Sequence, residues 1–382
     1  MDIHGWFFLY YTQKNRQNNL KTNGIFGIKM NKLAEALYRA YGNLVHHIPG
    51  GYSLLPPLII WNVTYKCNLR CKMCARYGEG GTREIDIKGE LELNDFKNII
   101  DDIKKSYRLL KPFIGITGGE PFMRKDIFDI LAYLKGFRFS ITTNFTALDE
   151  ERIKRLARCR PKQIRISIDG PEKVHDRIRG VKGTFSKAMS NISILRKYAD
   201  IPIRFNCAIS KDNMEHLEDV VRVAKENKVK LNFQHLIFMR DIHLELHKNA
   251  TKKFLGQELK TSATLCSFTE EEANRLIENV KKAKHLAEKL DVELSFLPEL
   301  DYKEMKKYYG NPVYWASRKC TFPWNTARID NFGNLLACMG YYYGNLRENK
   351  FKKAWNGLKA RKFRKVLKKV GVFPGCLRCC KL

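Results

Sequence analysis

Short apolar, β-rich runs recur along the middle of the chain. Between them lie stretches in which apolar positions return every three or four residues. The runs are 58-LIIWNVTY-65, 113-FIGIT-117, 138-RFSITT-143, 163-QIRISID-169, 203-IRFNCAI-209 and 229-VKLNFQHLIF-238. Helical periods fall at 94–110, 126–135, 149–158, 184–198 and 214–227. Six strands alternating with helices predict parallel βα units. The continuous apolar character of the runs predicts a sheet covered on both faces. A partial barrel and an open doubly wound sheet both fit this α/β pattern. In either, chemistry collects at the carboxyl ends of the strands. Cys67 follows the first strand there, Gly118 and Gly119 the second, and Asn144 the third, while Asp169 ends the fourth.

The flanks differ from this middle. Residues 1–29 contain the polar stretch 12-TQKNRQNNLKTN-23 and look detachable, so a start at Met30 is an alternative to Met1. In 31-NKLAEALYRAYGNLVHHI-48, Leu33, Leu37, Tyr41, Leu44 and Val45 fall near helical spacing, which predicts an amphipathic helix. A long helix is expected over 269–290. Residues 318–382 then hold five of the eleven cysteines and a basic helix expected over 350–370. The pattern divides the chain into an extension (1–57), a βα core (58–290) and a small cysteine-rich domain (291–382).

Composition narrows the classes. A hydrophobic fraction of 44% over 382 residues permits a sizeable core. Eleven cysteines without a signal peptide do not read as a secreted disulfide framework, so metal or redox work is expected. The longest apolar runs, 6-WFFLYY-11 and 54-LLPPLIIW-61, fall far short of the roughly 20 residues of a spanning helix. No transmembrane segment is expected, and the chain is placed in the cytoplasm, free or peripheral at a membrane. A net charge of +30 attracts anions: nucleic acid, an acidic membrane surface or an acidic small molecule. A solvated lysine-rich surface explains the same charge.

The chemistry begins at 65-YKCNLRCKMCARY-77. Thiolates select zinc, copper(I) or iron–sulfur clusters, and structural zinc wants four ligands. Cys67, Cys71 and Cys74 leave either a distant fourth ligand or an open position. A Gly-Gly pair followed by a carboxylate, 117-TGGEP-121, lets backbone approach a ligand and offers Glu120 to an ammonium group. Taken alone, it is also an ordinary turn before a helix.

Together these residues resemble the radical S-adenosylmethionine (SAM) superfamily. The resemblance implies a [4Fe-4S] cluster on Cys67, Cys71 and Cys74, whose free iron chelates SAM. Reduction of that cluster yields a 5′-deoxyadenosyl radical that abstracts hydrogen from substrate. It implies SAM contacts at Gly118, Gly119, Glu120 and Pro121, and ribose contacts at Thr143 and Asn144 in 142-TTN-144. The segment 165-RISIDGPEKVHDRIRGVKGTF-185 is similar to one in members with a SPASM or twitch extension, which puts Ser167 and Arg179 at the SAM carboxylate. Asp169, His175 and Asp176 are expected to organise that loop. Family members usually carry an aromatic residue before the third cysteine, against the adenine; here Met73 supplies a polarizable thioether instead.

The tail gives Cys320-x17-Cys338, Gly333 ahead of the latter, 344-GNL-346, 355-WN-356 and 376-CLRCC-380. It resembles a shortened SPASM or twitch domain. That implies one auxiliary [4Fe-4S] cluster on Cys320, Cys338, Cys376 and Cys379, with Cys380 as a substitute for Cys379. Zinc would be satisfied by the same four thiols. Cys159, Cys207 and Cys266 have no partner spacing, and 241-DIHLEL-246 lacks the glycine of a cobalamin motif, so no cobalamin is expected. The layout implies an oxidoreductase or maturase whose second cluster relays electrons, acting on a small molecule, cofactor, lipid or peptide. A ferredoxin or flavodoxin would be the reductant. An acidic or membrane-associated substrate suits the charge, and no specific nucleic acid is expected. The rival class is a non-enzymatic, metal-stabilised nucleic-acid-binding protein; it explains the charge and cysteines but not the βα units.

Overall fold

All six expected strands form, in order. In this computed structural model, which describes residues 32–78, 88–108, 110–239, 241–259, 264–311 and 320–379, each strand pairs in parallel with its successor. They are β1 Leu58–Asn62, β2 Phe113–Thr117, β3 Arg138–Thr143, β4 Gln163–Ser167, β5 Ile203–Ile209 and β6 Lys230–His235. The helices are α1 Lys32–His47, α2 Leu93–Ser106, α3 Ile127–Tyr133, α4 Glu150–Cys159, α5 Glu172–Arg179, α6 Thr184–Tyr198 and α7 Leu217–Glu226. Residues 1–31, with the alternative start at Met30, lie outside the described residues, as does Cys380.

The strands are not apolar on both sides. Their period-two alternation puts Ile164 and Ile166, Phe205 and Cys207, and Leu231 and Phe233 on one face, all buried against the helices. Trp61 marks that face by stacking on Phe96 of α2, 4.9 Å between ring centroids. The opposite face carries Asn62, Thr117, Thr142, Ser167, Asn206 and Gln234, each half-buried. The expectation of a sheet covered twice is corrected here. The curved sheet is a partial barrel with an apolar outside under helices and a polar inside.

Sequence reasoning missed both edges of this sheet. A further parallel strand, β9 Leu294–Leu297, lies beyond β6, after helices α8 Asp241–Leu255 and α9 Glu270–Lys289. The run 229–238 is not one strand. β6 stops at His235, and β7 Phe238–Met239 pairs instead with β8 Thr264–Leu265. Helix α10 Tyr302–Gly310 follows. The tail then returns to the other edge. After α11 Phe322–Asn325, β10 Thr326–Ile329 runs parallel to β1, and β11 Asn334–Leu336 and β12 Tyr342–Asn345 continue antiparallel. The result is one ten-stranded sheet whose outer strands both come from beyond residue 290.

The landmarks of the tail hold this hairpin. Asp330 Oδ1 accepts from the N–H groups of Phe332 and Asn334, and Gly333 takes φ +83° at the turn. Asn345 Nδ2 donates to Phe332 O and Asn334 Oδ1. The basic helix is broken at Gly357 into α12 Phe351–Trp355 and α13 Leu358–Val370. Trp355 is buried and donates to Leu54 O, while Asn356 brackets Ser53 with both ends of its amide. In α1, Leu37 and Leu44 are 61% and 63% exposed, while Val45 is buried and Tyr38 and Tyr41 pack on the core. The apolar stripe expected there is therefore split between core and surface.

Candidate functional site

The loop after β1 is fixed from two sides. Arg70 N donates to Arg179 O at 3.1 Å and Lys72 N to Ile178 O at 2.9 Å, which ties it to the end of α5. Gly180 ends that helix at φ +74°, and a Cβ there would lie 2.6 Å from Arg70 O. On the other side, Gly119 N donates to Thr64 O and Glu120 N to Lys66 O, each at 2.8 Å. A Cβ on Gly118 would lie 2.3 Å from Thr64 O, and one on Gly119 would lie 2.3 Å from Lys66 O. The two glycines are thus needed for backbone to meet backbone, not only for a ligand to approach. Gly118→Ala adds strain at φ +147° to a clash with carbonyl oxygen, and Gly119→Ala adds the clash alone. Each is expected to cost about 3 kcal/mol, measured by urea denaturation against Gly115→Ala, where the nearest atom is 3.9 Å away.

The three thiols act on one another. Burial pushes Cys67 up to about 11, helped by Glu120, Cys71 and Cys74. Burial also raises Cys71, against the pull of Arg179, whose Nη1 lies 3.6 Å from its Sγ. Leu69 N donates to Cys67 Sγ at 3.5 Å. Desolvated thiols beside a cation and backbone donors suit a metal centre, which replaces their protons and takes them as thiolates. Met73, before the third cysteine, is half-buried.

Glu120 is fully buried at the end of β2. It accepts from Phe122 N at 3.1 Å, Thr143 Oγ1 at 2.8 Å and Asn144 N at 2.7 Å. Burial lifts its carboxyl to about 7, and these donors together with Arg152 pull the other way. Pro121 opens a short turn whose N-cap is Glu120. Asn144 bonds sideways to Asn68 Oδ1 at 2.9 Å, and Asn68 to Thr146 Oγ1 at 2.9 Å. Asn68 therefore latches the cysteine loop to the end of β3. Sequence reasoning passed over it, although it sits between two of the cysteines.

Past β4, Asp169 is buried and pairs with Arg179 Nη2 at 2.6 Å, while its Oδ1 accepts from Ala208 N at 3.0 Å. Arg179 Nε keeps no partner among the described residues. His175 Nδ1 accepts from Asp169 N at 3.2 Å, and burial drives the ring down to about 3, so it stays neutral. Asp176 caps the next turn, taking Thr184 Oγ1 at 2.7 Å and Phe185 N at 2.9 Å. All three organise the loop, as expected. Ser167 is half-buried on the inner face.

One pivot was not anticipated. Glu90 accepts from Tyr65 N and Asn331 Nδ2, each at 2.8 Å, and from Thr64 Oγ1. It joins the loop after β1 to the tail hairpin, and Arg124 stands 3.9 Å away.

Three of the tail cysteines, Cys320, Cys338 and Cys376, act on one another electrostatically. Cys320 and Cys376 are buried and Cys338 is half-buried. Burial raises Cys320 to about 12, with Cys338 adding to it and a backbone hydrogen bond from Phe322 opposing it. Cys376 rises well above the ordinary range, with Cys338 and Cys320 adding to burial. Cys379 N donates to Cys376 O at 3.1 Å. Among the described residues, no three Cys, His, Asp or Glu side chains are drawn together around a single ion. Cys207 instead faces the core and accepts from Asn213 Nδ2. Cys159 ends α4, and Cys266 follows β8.

The sequence model of the radical SAM superfamily matches residues 61–229, and that of the SPASM iron–sulfur cluster-binding domain matches 320–380. The AdoMet-dependent heme synthase of Methanosarcina barkeri strain Fusaro is 35% identical over 174 residues, 45% of this chain and 48% of that protein. The Fe-coproporphyrin III synthase of the same organism is 30% identical over 215 residues, 53% of this chain and 52% of that protein. The chain spans about half the length of the curated relatives it matches. Among solved structures, SuiB of Streptococcus suis resembles it with a TM-score of 0.58 at 16% identity, covering 95% of this chain and 78% of that one. That likeness concerns the fold. These comparisons give no support to the nucleic-acid-binding alternative.

Proposed function

We propose that this chain, which belongs to the radical SAM superfamily and carries a SPASM iron–sulfur cluster-binding domain, cleaves SAM reductively and abstracts hydrogen from a substrate inside the barrel. The observation that carries this reading is the cysteine loop itself. It is clamped between the Gly-Gly-Glu turn of β2 and the end of α5, with Arg179 beside Cys71. Cys67, Cys71 and Cys74 would hold a [4Fe-4S] cluster, and Cys320, Cys338, Cys376 and Cys379 the auxiliary one. When bound, the first cluster supplies the electron and the open iron at which SAM is split. The chain's own residues do the positioning. Gly118 and Gly119 bring the β2 turn against the loop, and Glu120 presents a carboxylate for the SAM ammonium. Thr143 and Asn144 fix that carboxylate, and Asp169 holds the Arg179 fork for the SAM carboxylate. Met73 lies at the adenine.

A ferredoxin or flavodoxin would reduce the first cluster, and the auxiliary cluster would take up the electron released by the substrate radical in maturation-type chemistry. Two relatives are named as a heme synthase and an Fe-coproporphyrin III synthase, which favours a cofactor-like substrate for this chain. No described helix is long and apolar enough to cross a membrane. Exposed Leu37 and Leu44 with the lysines of α13 favour peripheral contact with an acidic membrane surface.

Glu120 gives this reading a pH signature. Its folded carboxyl titrates near 7, above the ordinary 4.5. The protonated form therefore stabilises the fold fully below about 4.5, and that contribution is lost as pH rises through about 7. An ammonium partner needs the ionised form. SAM affinity of the cluster-loaded chain is expected to rise by up to about tenfold per pH unit below 7 and to level above it. Proton release should be seen calorimetrically near pH 6. Glu120→Gln should bind weakly with a flat profile; a flat profile in the unaltered chain would remove Glu120 as the ammonium partner. The reading as a whole is tested by formation of 5′-deoxyadenosine from SAM under reduction.

A further inference from the structure

Two arginines lie on the inner face of the barrel, where a parallel sheet ordinarily carries neutral side chains. Arg165 of β4 and Arg204 of β5 are register partners, so their side chains leave neighbouring strands on the same side. Only 4% of Arg165 and 3% of Arg204 remain exposed. An arginine so buried is ordinarily paired with a carboxylate and hydrogen-bonded throughout.

Arg165 is not. Its Nε donates to Gln163 Oε1 at 3.1 Å, but its Nη2 has no partner among the described residues. The charge that acts on it is Arg204, which adds to burial in lowering its pKa to about 9. Asp169, two positions on along the same face, is already taken by Arg179. Arg204 is better off, since Glu293 lies near it. That carboxylate also pairs with Lys230 at 2.8 Å, and Arg204 Nε is left without a partner among the described residues. Ser140 Oγ on β3 and Asn206 Oδ1 on β5 are likewise unpartnered among the described residues. Registers Ser140 to Gln163 and Ser167 to Asn206 place all four residues on the inner face of three consecutive strands. Thr142, level with Arg165, and Ser167, the next position on the same face, are half-buried, so the face is open there.

We propose that Arg165 and Arg204 form the floor of the substrate chamber and bind an anionic group, a carboxylate or a phosphate, of the substrate. The guanidinium fork fits both oxyanions through paired N–H···O bonds. An anion seated there would take the free Nη2 and Nε donors and relieve the repulsion between the two cations. Ser140 Oγ would add a donor. The substrate would thus enter acid group first, leaving its other end toward the cysteine loop. This inference rests on the radical SAM reading of the barrel and names the substrate class for it.

The test uses the cluster-loaded chain saturated with SAM, so that the cofactor's own carboxylate site is filled. Citrate and pyrophosphate are the probes, and thermal stability is the readout. The unaltered chain is expected to gain several degrees with one of them at millimolar concentration. A response to citrate assigns a carboxylate, and a response to pyrophosphate a phosphate. Arg165→Met should melt higher than the unaltered chain without any anion, because it removes an unpaired buried charge, and should lose the response. Arg165→Lys should keep a point charge and respond more weakly. An unaltered chain indifferent to both anions overturns the proposal. So does a response that survives in Arg165→Met, or in Arg165→Lys undiminished should the methionine variant not fold. Deoxyadenosine formation by the unaltered chain reports separately on the radical SAM reading.

Discussion

Changing Cys67, Cys71 and Cys74 together to alanine is expected to lower the iron content of the reconstituted chain from about eight to about four per molecule. Formation of 5′-deoxyadenosine should disappear. The effect is large because, among the described residues beside the loop, no side chain stands ready to replace a thiolate. Arg179 is a cation, Asp169 is held by it at 2.6 Å, and Glu120 is committed to three donors. The fold should survive. The loop is held by backbone bonds from Arg70 and Lys72 to α5 and from the Gly-Gly turn to Thr64 and Lys66, none of which involves sulfur. Iron and sulfide analysis with a far-ultraviolet spectrum checks both halves. Iron falling from about four to none would instead leave the tail without a cluster, and the relay role with it.

The alternation of short runs and helical periods fixes the order of β1–β6, because each run carries its own burial signal. It fails where pairing is remote. Nothing local to 326-TARI-329 says that it will lie beside β1, more than 260 residues earlier in the chain, with Leu58 opposite Thr326. Nor does 229–238 announce that His235 ends one strand and Phe238 begins another; the aromatic packing of His235 against Phe296 and Tyr309 decides that. The cysteines and Gly-Gly-Glu were legible because spacing and residue type carry the chemistry. Asn68, Glu90 and Asn331 were not, since a single amide or carboxylate in a loop has no pattern until its partners are in place. The polar inner face was misread for a related reason: β4 reads apolar only if Arg165 and Ser167 are passed over.

The tail cysteines should show a different loss. Cys320→Ala with Cys376→Ala is expected to halve the iron, leave SAM cleavage in place and abolish substrate turnover, because the barrel's loop is untouched while the electron path is cut. Stability should fall too. Cys320 precedes α11, Cys338 follows β11 and Cys376 follows α13, so a cluster on these thiols would join three segments distant in sequence. Those segments carry β10, which lies against β1, the strand that ends at the cysteine loop. Removing the joint should lower the melting temperature by more than two buried thiols alone account for. The reference is Cys207→Ala, a fully buried thiol outside both proposed ligand sets. Zinc bound in place of iron would appear as unchanged iron with one zinc lost in the double variant. Full turnover in that variant would show that the second centre holds the hairpin on the barrel edge and carries no electrons.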